Sequence, residues 1–186
     1  NDPKADAEVM ALGWDLLSRL GLDGIELRVS TLGTDDDRKP YLQKLTEILE
    51  KNIKRVPEDF RPRVKVNPLR IFDHKSEMAQ ELCQELPSLM DHLSAENRQH
   101  FETTCGYLED MGIPFQVDNK IVRGLDYYCM TAFEYVTQGL GQTQNAVGGG
   151  GRYDGLFELL GGRPTPGVGF AMGLDRLVLL LNEQGL

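Results

Sequence analysis

Apolar side chains recur at helical spacing over residues 3–20. Asp2 and Pro3 are typical of a helix N-cap and first turn, and Gly21 is typical of a helix end. The apolar positions of this predicted helix are Val9, Met10, Leu12, Leu16, Leu17 and Leu20. The segment "IELRVS" at 25–30 then alternates apolar and polar side chains, which predicts a strand.

Helices dominate the middle of the chain. The pattern predicts them over 40–53, 75–86 and 95–111, the last beginning after Ser94 and ending at Gly112. Because sheet-forming segments lie on both sides, these helices are predicted to form an inserted block.

Short strand-like segments follow Pro114. They are "PFQVD", "TAFEYV" and "QNAV", each separated from the next by turn residues. The final segment, "GVGFAMGLDRLVLLLNEQG", predicts a short apolar strand and then a helix.

Length and composition indicate a globular protein. The 186 residues are 40% hydrophobic and 26% charged, and folding at this length buries roughly 70% of the unfolded chain's surface. The longest apolar run, 177–181, is too short to cross a membrane. The acidic first ten residues show no signal-peptide pattern. We therefore expect neither a membrane partner nor a secretory leader.

The cysteines and histidines predict no metal site. Cys83, Cys105 and Cys129 are widely spaced and odd in number, which favours reduced thiols in a cytoplasmic protein. His92 and His100 lie two helical turns apart, but no helix-spaced carboxylate pair accompanies them. They are interpreted as solvated helix histidines.

Charge is distributed unevenly along the chain. Residues 51–75 carry eight Lys/Arg and three Asp/Glu, a net charge of +5. Because the whole chain has a net charge of −9, the remaining residues carry a net charge of −14. Such asymmetry indicates either one anionic partner for this stretch or a solvated loop. Charge alone favours the solvated loop.

Four consecutive glycines at 148–151 precede Arg152, Tyr153 and Asp154. The Lys-Ser/Thr of a phosphate-binding P-loop is missing, and no strand–turn–helix unit of a dinucleotide-binding fold surrounds the run. A flexible linker would be rich in serine and isolated between domains. The glycines therefore predict a strand end whose backbone faces a ligand.

Three arginines, Arg123, Arg152 and Arg176, lie beside glycines or near the start of an apolar helix. A guanidinium can hold phosphate in a bidentate fork. Each arginine alone is more typical of a surface ion pair, and Tyr127 and Tyr128 are more typical of a core. Together they indicate a polyanionic small ligand such as a nucleotide.

Three segments carry a resemblance to a known family. "VRGLDYY" (122–128) and "GGGGRYDGL" (148–156) resemble the two histidine-specific motifs of histidyl-tRNA synthetases, which are class II aminoacyl-tRNA synthetases. "GVGFAMGLDRLVLLL" (167–181) resembles class II motif 3. The order and spacing agree with that family, and the resemblance covers essentially the whole chain.

The resemblance implies the reaction of a histidine–tRNA ligase. Histidine and ATP, with Mg2+ held mainly through ATP, condense to histidyl-adenylate, and the histidyl group then passes to tRNA(His). Arg123 matches the catalytic arginine that contacts the α-phosphate and the histidine carboxylate. Arg176 matches the motif 3 arginine that contacts the ATP phosphates. Tyr128 and Tyr153 match tyrosines of the histidine pocket.

The resemblance also implies supporting roles. Glu134 would shape the site from a strand, and the helical insert would approach the tRNA acceptor arm. The glycines that would let the substrates lie flush against the sheet are Gly149, Gly150 and Gly151. The tRNA-contact candidates in the basic stretch are Arg61, Arg63 and Lys65.

Parts of the family pattern are missing from this sequence. Class II motifs 1 and 2 and the anticodon-binding domain are absent, so the chain resembles the later part of a catalytic domain whose isolated activity is impaired. The predicted divisions are a catalytic segment at 1–35, a helical insertion at 36–112 and a second catalytic segment at 113–186. The predicted fold is α+β, a class II synthetase-type, mostly antiparallel sheet flanked by helices with a helical insertion. The sheet is expected to be incomplete, with exposed edges and apolar surface, and the full-length protein is expected to be a homodimer.

Two alternatives remain open. One is a non-catalytic paralogue, such as the regulatory subunit of ATP phosphoribosyltransferase, against which the intact "VRGLDYY" and Arg176 argue. The other is an interaction module in which the helical block binds RNA and the sheet is vestigial. Histidine-dependent ATP–pyrophosphate exchange separates the paralogue from a synthetase. In an interaction module, neutralising Arg61, Arg63 and Lys65 would abolish all function, whereas Arg123→Ala would do nothing.

Overall fold

The computed structural model describes residues 2–121, 127–139 and 145–186. Among these residues, five strands form one sheet in the order β2-β1-β3-β4-β5. The strands are β1 (Ile25–Thr31), β2 (Phe115–Val117), β3 (Cys129–Thr137), β4 (Ala146–Arg152) and β5 (Val168–Met172). Three of the four pairings are antiparallel, and β1 pairs with β2 in parallel. The predicted α+β fold with a mostly antiparallel sheet is confirmed.

Six α-helices accompany this sheet in the described part of the chain. They are α1 (Pro3–Arg19), α2 (Asp35–Lys51), α3 (Glu77–Glu85), α4 (Ala95–Asp110), the one-turn α5 (Leu156–Leu159) and α6 (Leu174–Gln184). Short 3-10 helices cover Ile53–Arg55, Arg61–Arg63, Pro68–Ile71 and Leu89–His92. Asp2 caps α1 by accepting a hydrogen bond from the Lys4 amide, and Ser94 caps α4 through the Asn97 amide. Both predicted helix starts are confirmed.

The predicted start of the second helix is wrong. Helix α2 begins at Asp35, so Pro40 lies inside it rather than at its first turn. Three aspartates, 35–37, occupy the first turn, where negative charge is favourable near the helix N-terminus. The Asp37 carboxylate accepts hydrogen bonds from the amide and hydroxyl of Thr34 at 2.9 and 3.0 Å. These contacts start the helix ahead of the proline.

The buried stripe of α1 also differs from the prediction. Its buried residues are Asp6, Ala7, Met10, Gly13 and Leu17, whereas Leu12, Leu16 and Leu20 are exposed. Gly13 lies on the buried side. A side chain does not fit there, because a Cβ would lie 2.3 Å from the Tyr135 hydroxyl. That hydroxyl donates to the Met10 carbonyl at 2.6 Å and joins α1 to the sheet.

Two main hydrophobic clusters form the core. One lies between the sheet and helices α1 and α4, around Met10, Leu108 and Phe133. The other lies within residues 41–89, around Tyr41, Leu45 and Ile71. Helix α4 therefore packs with the sheet, while α2, α3 and the turns between them enclose their own core. The division of the chain at 36 and 112 stays a prediction.

Apolar side chains are exposed near β5, which is an edge strand of the described sheet. On α6 the exposed fractions of Leu174, Val178 and Leu179 are 75%, 56% and 57%. Whether strands missing from an incomplete sheet explain this apolar surface stays a prediction. No described helix has the length and apolar character needed to span a membrane.

Candidate substrate-binding site

The glycine run forms the middle of β4 rather than a strand end. Gly148 to Gly151 pair with β3 on one side and with β5 on the other. Residues that face each other across strands share a face of the sheet. One cross-strand row on this face is Ala132, Gly151 and Gly169, and the next row is Glu134, Gly149 and Ala171. Small residues therefore occupy much of one face of the sheet, here called the small-residue face, and Glu134 lies among them.

Three tyrosines form a cluster on this small-residue face. The ring centroids of Tyr127 and Tyr128 are 4.7 Å apart, and that of Tyr153 lies 6.2 and 6.3 Å from them. The cluster packs with Ala132. Adjacent extended residues would point to opposite faces, but Tyr127 lies in a turn and the two rings pack together.

The tyrosines explain several of the glycines. A Cβ at Gly151 would lie 2.9 Å from the Tyr128 ring and 2.6 Å from the Thr131 carbonyl. A Cβ at Gly169 would lie 2.8 Å from the Tyr153 hydroxyl. These glycines let aromatic rings lie against the sheet. Whether substrates also lie on Gly149, Gly150 and Gly151 stays a prediction.

Arg152 belongs to a buried ion-pair network rather than to an open anion site. Its side chain is 3% exposed, and its guanidinium donates to both carboxylate oxygens of Asp6, which is fully buried on α1. It also donates to Asp154 at 3.0 Å. The same Asp6 carboxylate accepts from Thr131 at 2.6 Å and is 2.9 Å from Nε2 of His100.

The balance of burial and hydrogen bonding sets the charge states of this pair. Burial on its own would raise the pKa of Asp6, but hydrogen bonds from His100, Arg152 and Thr131 and the charge of Arg152 lower it overall. Burial would lower the pKa of Arg152, but contacts with Asp6 and Asp154 raise it. The interpretation of Arg152 as one of three ligand-binding arginines is therefore wrong, because two carboxylates already surround it.

The network reaches the tyrosine cluster through Asp154. Its carboxylate accepts from the Gly167 amide at 3.0 Å, and the Gly167 carbonyl accepts from the Tyr153 amide at 2.7 Å. A Cβ at Gly167 would lie 2.5 Å from the Tyr153 ring. Tyr153 is thus held in place because Arg152 and Asp154, its two neighbours in sequence, both belong to this network.

Of the other two predicted arginines, the structure describes only Arg176. Arg123 lies outside the described residues. Arg176 is half-buried in the first turn of α6 and donates to the Ala146 carbonyl of β4. Although α6 is rich in apolar residues, only Leu177 and Leu180 among them are buried. Arg176 therefore lies beside the strand that carries the glycines.

The tRNA-contact candidates lie away from the tyrosines, around the 3-10 helix Arg61–Arg63. Nε of Arg61 donates to the carbonyls of Ile53 and Val56 at 3.2 and 3.1 Å. Arg63 is exposed, and the Lys65 ammonium is 3.1 Å from Glu50. Arg61 thus has a structural role that Arg63 and Lys65 do not share.

The interpretation of His100 as a solvated residue is wrong. Its side chain is 10% exposed and contacts Asp6. His92 is half-buried, and its ring packs on Tyr41 with centroids 5.3 Å apart. In the described part of the chain, no group of three His, Cys, Asp or Glu residues could hold a metal ion. Cys83, Cys105 and Cys129 are free thiols whose pKa values are raised by burial.

Two residues beside this site were not predicted from the sequence. One is Asp6. Its position four residues before Met10 places a carboxylate on the buried stripe of α1, and this spacing could have indicated it. The other is Arg38, whose side chain is 18% exposed and donates to the Tyr128 carbonyl at 2.9 Å. No local pattern indicates the contact of Arg38, since its partner lies 90 residues away in the chain.

Comparisons with known proteins agree with this architecture. The chain resembles a solved apo histidyl-tRNA synthetase from S. aureus with a TM-score of 0.77 and 34% identity, over 100% of this chain and 45% of that one. A structure from Bacillus halodurans, described as an ATP phosphoribosyltransferase regulatory subunit/histidyl-tRNA synthetase, has a TM-score of 0.61 over 98% of this chain and 51% of that one. At 22% identity it shows the fold alone.

Sequence comparison gives the family. Histidine–tRNA ligase from Dechloromonas aromatica is 48% identical over 183 residues, which are 98% of this chain and 42% of the relative. The chain therefore spans less than half the length of this curated relative. The family model for histidyl-tRNA synthetase matches residues 1–177. With nearly its whole length matched, the chain belongs to the histidyl-tRNA synthetase family.

Proposed function

We propose that this chain forms the histidine- and ATP-binding part of a histidine–tRNA ligase. The reaction would join histidine and ATP to histidyl-adenylate and then transfer the histidyl group to tRNA(His). Family membership and relatives named histidine–tRNA ligase support this function. The observation that carries it is the tyrosine cluster on a sheet face of small residues, at the two motifs that resemble the family's histidine-specific ones.

The small-residue face beside the tyrosines would offer a backbone surface to a flat, polar ligand. The hydroxyls of Tyr128 and Tyr153 would contact the imidazole, since a tyrosine hydroxyl can donate to or accept from either imidazole nitrogen. A site built on such contacts rejects analogues that lack the partner atoms by about 10⁴ or more. Glu134 is the acidic side chain in the central row of this face and would shape the floor of the site.

The arginines would bind the anionic parts of the substrates. Arg123 would stabilise negative charge at the α-phosphate and the histidine carboxylate, and Arg176 would contact the ATP phosphates. Arg176 supports this role by its place in the first turn of α6 beside β4. Mg2+ would arrive with ATP, since it is usually bound through substrate phosphates.

The helical insert would contact the acceptor arm of tRNA(His). Its basic stretch, which has a net charge of +5 over residues 51–75, supports this placement. The free thiols support work in a reducing compartment such as the cytoplasm. A homodimer of the full-length protein stays a prediction.

Histidine-dependent ATP–pyrophosphate exchange tests the proposal. It would be measured on this chain and on a fused protein in which the chain replaces the matching segment of the Dechloromonas aromatica enzyme. We expect exchange in the fused protein and weaker exchange in the chain alone. Tyr153→Phe should raise KM for histidine about tenfold, as for one lost hydrogen bond. Tyr107→Phe is the matched control, because Tyr107 lies on α4 outside the cluster.

The same experiment decides between a ligase and a non-catalytic paralogue. Histidine binding without exchange in the fused protein would favour a non-catalytic paralogue, such as the regulatory subunit of ATP phosphoribosyltransferase. Neither binding nor exchange would favour an interaction module. Exchange that needs histidine, Arg123 and Arg176 would support the ligase.

A further inference from the structure

The segment that joins β1 to α2 is hydrogen-bonded to the segment that carries the site tyrosines. Thr31, the last residue of β1, pairs with Thr131 of β3. Beyond this pair the Leu32 amide donates to the Met130 carbonyl at 2.6 Å, and the Met130 amide donates to the Gly33 carbonyl at 2.8 Å. The two backbones therefore remain joined up to the first turn of α2.

This junction holds an unusual backbone conformation. Among the described non-glycine residues, only Met130 has a positive φ, of 50°. Such a conformation is strained and persists only where surrounding contacts impose it. At Met130 the two hydrogen bonds to Leu32 and Gly33 impose it. The path of the chain next to Tyr128 thus depends on the segment between β1 and α2.

Arg38 adds a side-chain contact to the same segment. One guanidinium nitrogen donates to the Tyr128 carbonyl at 2.9 Å, and another contacts Asp35. The rigid fork of arginine fixes both contacts at once. A cavity of about 410 Å³ lies beside this contact, and its lining includes Arg38, Tyr127 and Cys129. A small cation could therefore reach, through this cavity, the space that the guanidinium would leave in Arg38→Ala.

Hydrogen bonds to the neighbouring Asp37 fix the backbone that carries Arg38 relative to the rest of the fold. The adjacent Asp37 carboxylate is 5% exposed and accepts hydrogen bonds from Thr34, from the Ser94 amide at 2.7 Å and from Asn97. These bonds tie the beginning of α2 to the beginning of α4. Hydrogen bonding lowers the pKa of Asp37 despite its burial. The first turn of α2 is therefore a fixed support for Arg38.

We propose that Arg38 is a positioning residue for histidine binding: it holds the Tyr128 carbonyl, and with it the ring of Tyr128, from the first turn of the insert. This inference rests on the proposed function, because Tyr128 is a histidine-pocket residue only in that function. Arg38 acts on the substrate through Tyr128. Its loss should therefore change histidine affinity and leave ATP affinity unchanged.

The test compares Arg38→Ala with the unsubstituted fused protein in the exchange assay. We expect KM for histidine to rise about tenfold, because displacement of one pocket wall weakens a preorganised site. The KM for ATP and kcat at saturating histidine should stay within about twofold, as expected when only ground-state binding is lost. Arg38→Lys should fall between the two. Arg55→Ala is the control, since Arg55 lies on the insert surface and pairs with Glu85.

Chemical rescue separates positioning from a general loss of structure. Millimolar guanidinium chloride should lower the raised KM of Arg38→Ala by filling the vacated space, whereas sodium chloride at equal ionic strength should not. An unchanged KM in Arg38→Ala, or a raised KM that guanidinium leaves unaltered, would overturn the role of Arg38 alone. Absence of exchange in the unsubstituted fused protein would remove the proposed function, and this inference with it.

Discussion

Asp6 of α1 and Arg152 of β4 form an ion pair whose side chains are 0% and 3% exposed. The pair links the first helix to the strand that carries the glycines, and it extends through Asp154 to the backbone on which Tyr153 lies. Buried charges are tolerated only when partners satisfy them. The histidine-motif segment 148–156 is thus fixed to the fold by electrostatics as well as by strand pairing.

Removal of Asp6 should strongly destabilise the protein. Asp6→Ala leaves the Arg152 guanidinium buried without its main partner, which costs about 3–5 kcal/mol in comparable cases. Urea unfolding followed by circular dichroism measures the change. Asp15→Ala is the control, because its pair with Arg19 is 56% and 78% exposed and is worth at most about 1 kcal/mol. Equal losses in the two variants would contradict the importance of the buried pair.

The same carboxylate should make stability depend on pH. The pKa of Asp6 is lowered from 3.8 in the folded protein, so the folded state binds fewer protons than the unfolded state near that pH. Its contribution is therefore fully present above about pH 4 and is lost as the pH falls through the folded pKa. Urea midpoints between pH 7 and pH 2 measure this loss. Asp6→Asn should flatten the acid side of the profile, and a parallel profile would show that other carboxylates dominate it.

Two glycine-to-alanine substitutions should change stability in opposite directions. At Gly150 in β4, a Cβ would lie 2.0 Å from the Gly169 carbonyl oxygen and 2.7 Å from the Phe170 Cα. Because both are backbone atoms, Gly150→Ala should cost about 3 kcal/mol or more. At Gly106 in α4 a Cβ meets open space, so Gly106→Ala should stabilise by about 1 kcal/mol.

Thermal melts of both glycine variants give the comparison directly. A gain of stability in Gly150→Ala would show that β4 and β5 are not paired as described. A loss in Gly106→Ala would show that the outer side of α4 is covered.

Local signals in the sequence were sufficient for much of the fold. Asp2 and Ser94 precede helices because their side chains accept hydrogen bonds from amides two or three positions into the helix, a requirement that involves neighbours only. Alternation at 25–30 predicted β1 because Leu27 and Val29 are buried, whereas Glu26 and Arg28 between the apolar positions are only half-buried. Such features depend on a few adjacent residues, so a pattern can show them.

The site was less predictable because its contacts join distant parts of the chain. Asp6 and Arg152 are 146 positions apart, and nothing local shows that α1 lies over β4. The glycines looked like a strand end because side-chain periodicity cannot be seen where there are no side chains. Pairing on both sides of β4 makes them a central strand. The grouping of Tyr127 with Tyr128 likewise depends on a turn and on the support of Arg38.

Substitution of the basic residues in the insert should separate RNA contact from structure. Arg63→Ala and Lys65→Ala remove exposed charges, so they should weaken binding of a tRNA(His) acceptor minihelix and reduce the salt dependence of log Kd by about one unit per lost phosphate contact. Arg61→Ala should also lower the melting temperature, because it removes hydrogen bonds to two carbonyls of the 53–56 turn. Fluorescence anisotropy at several salt concentrations measures the affinity, with Arg19→Ala on α1 as the control. Unchanged affinity and salt slope in the first two variants would place the RNA elsewhere.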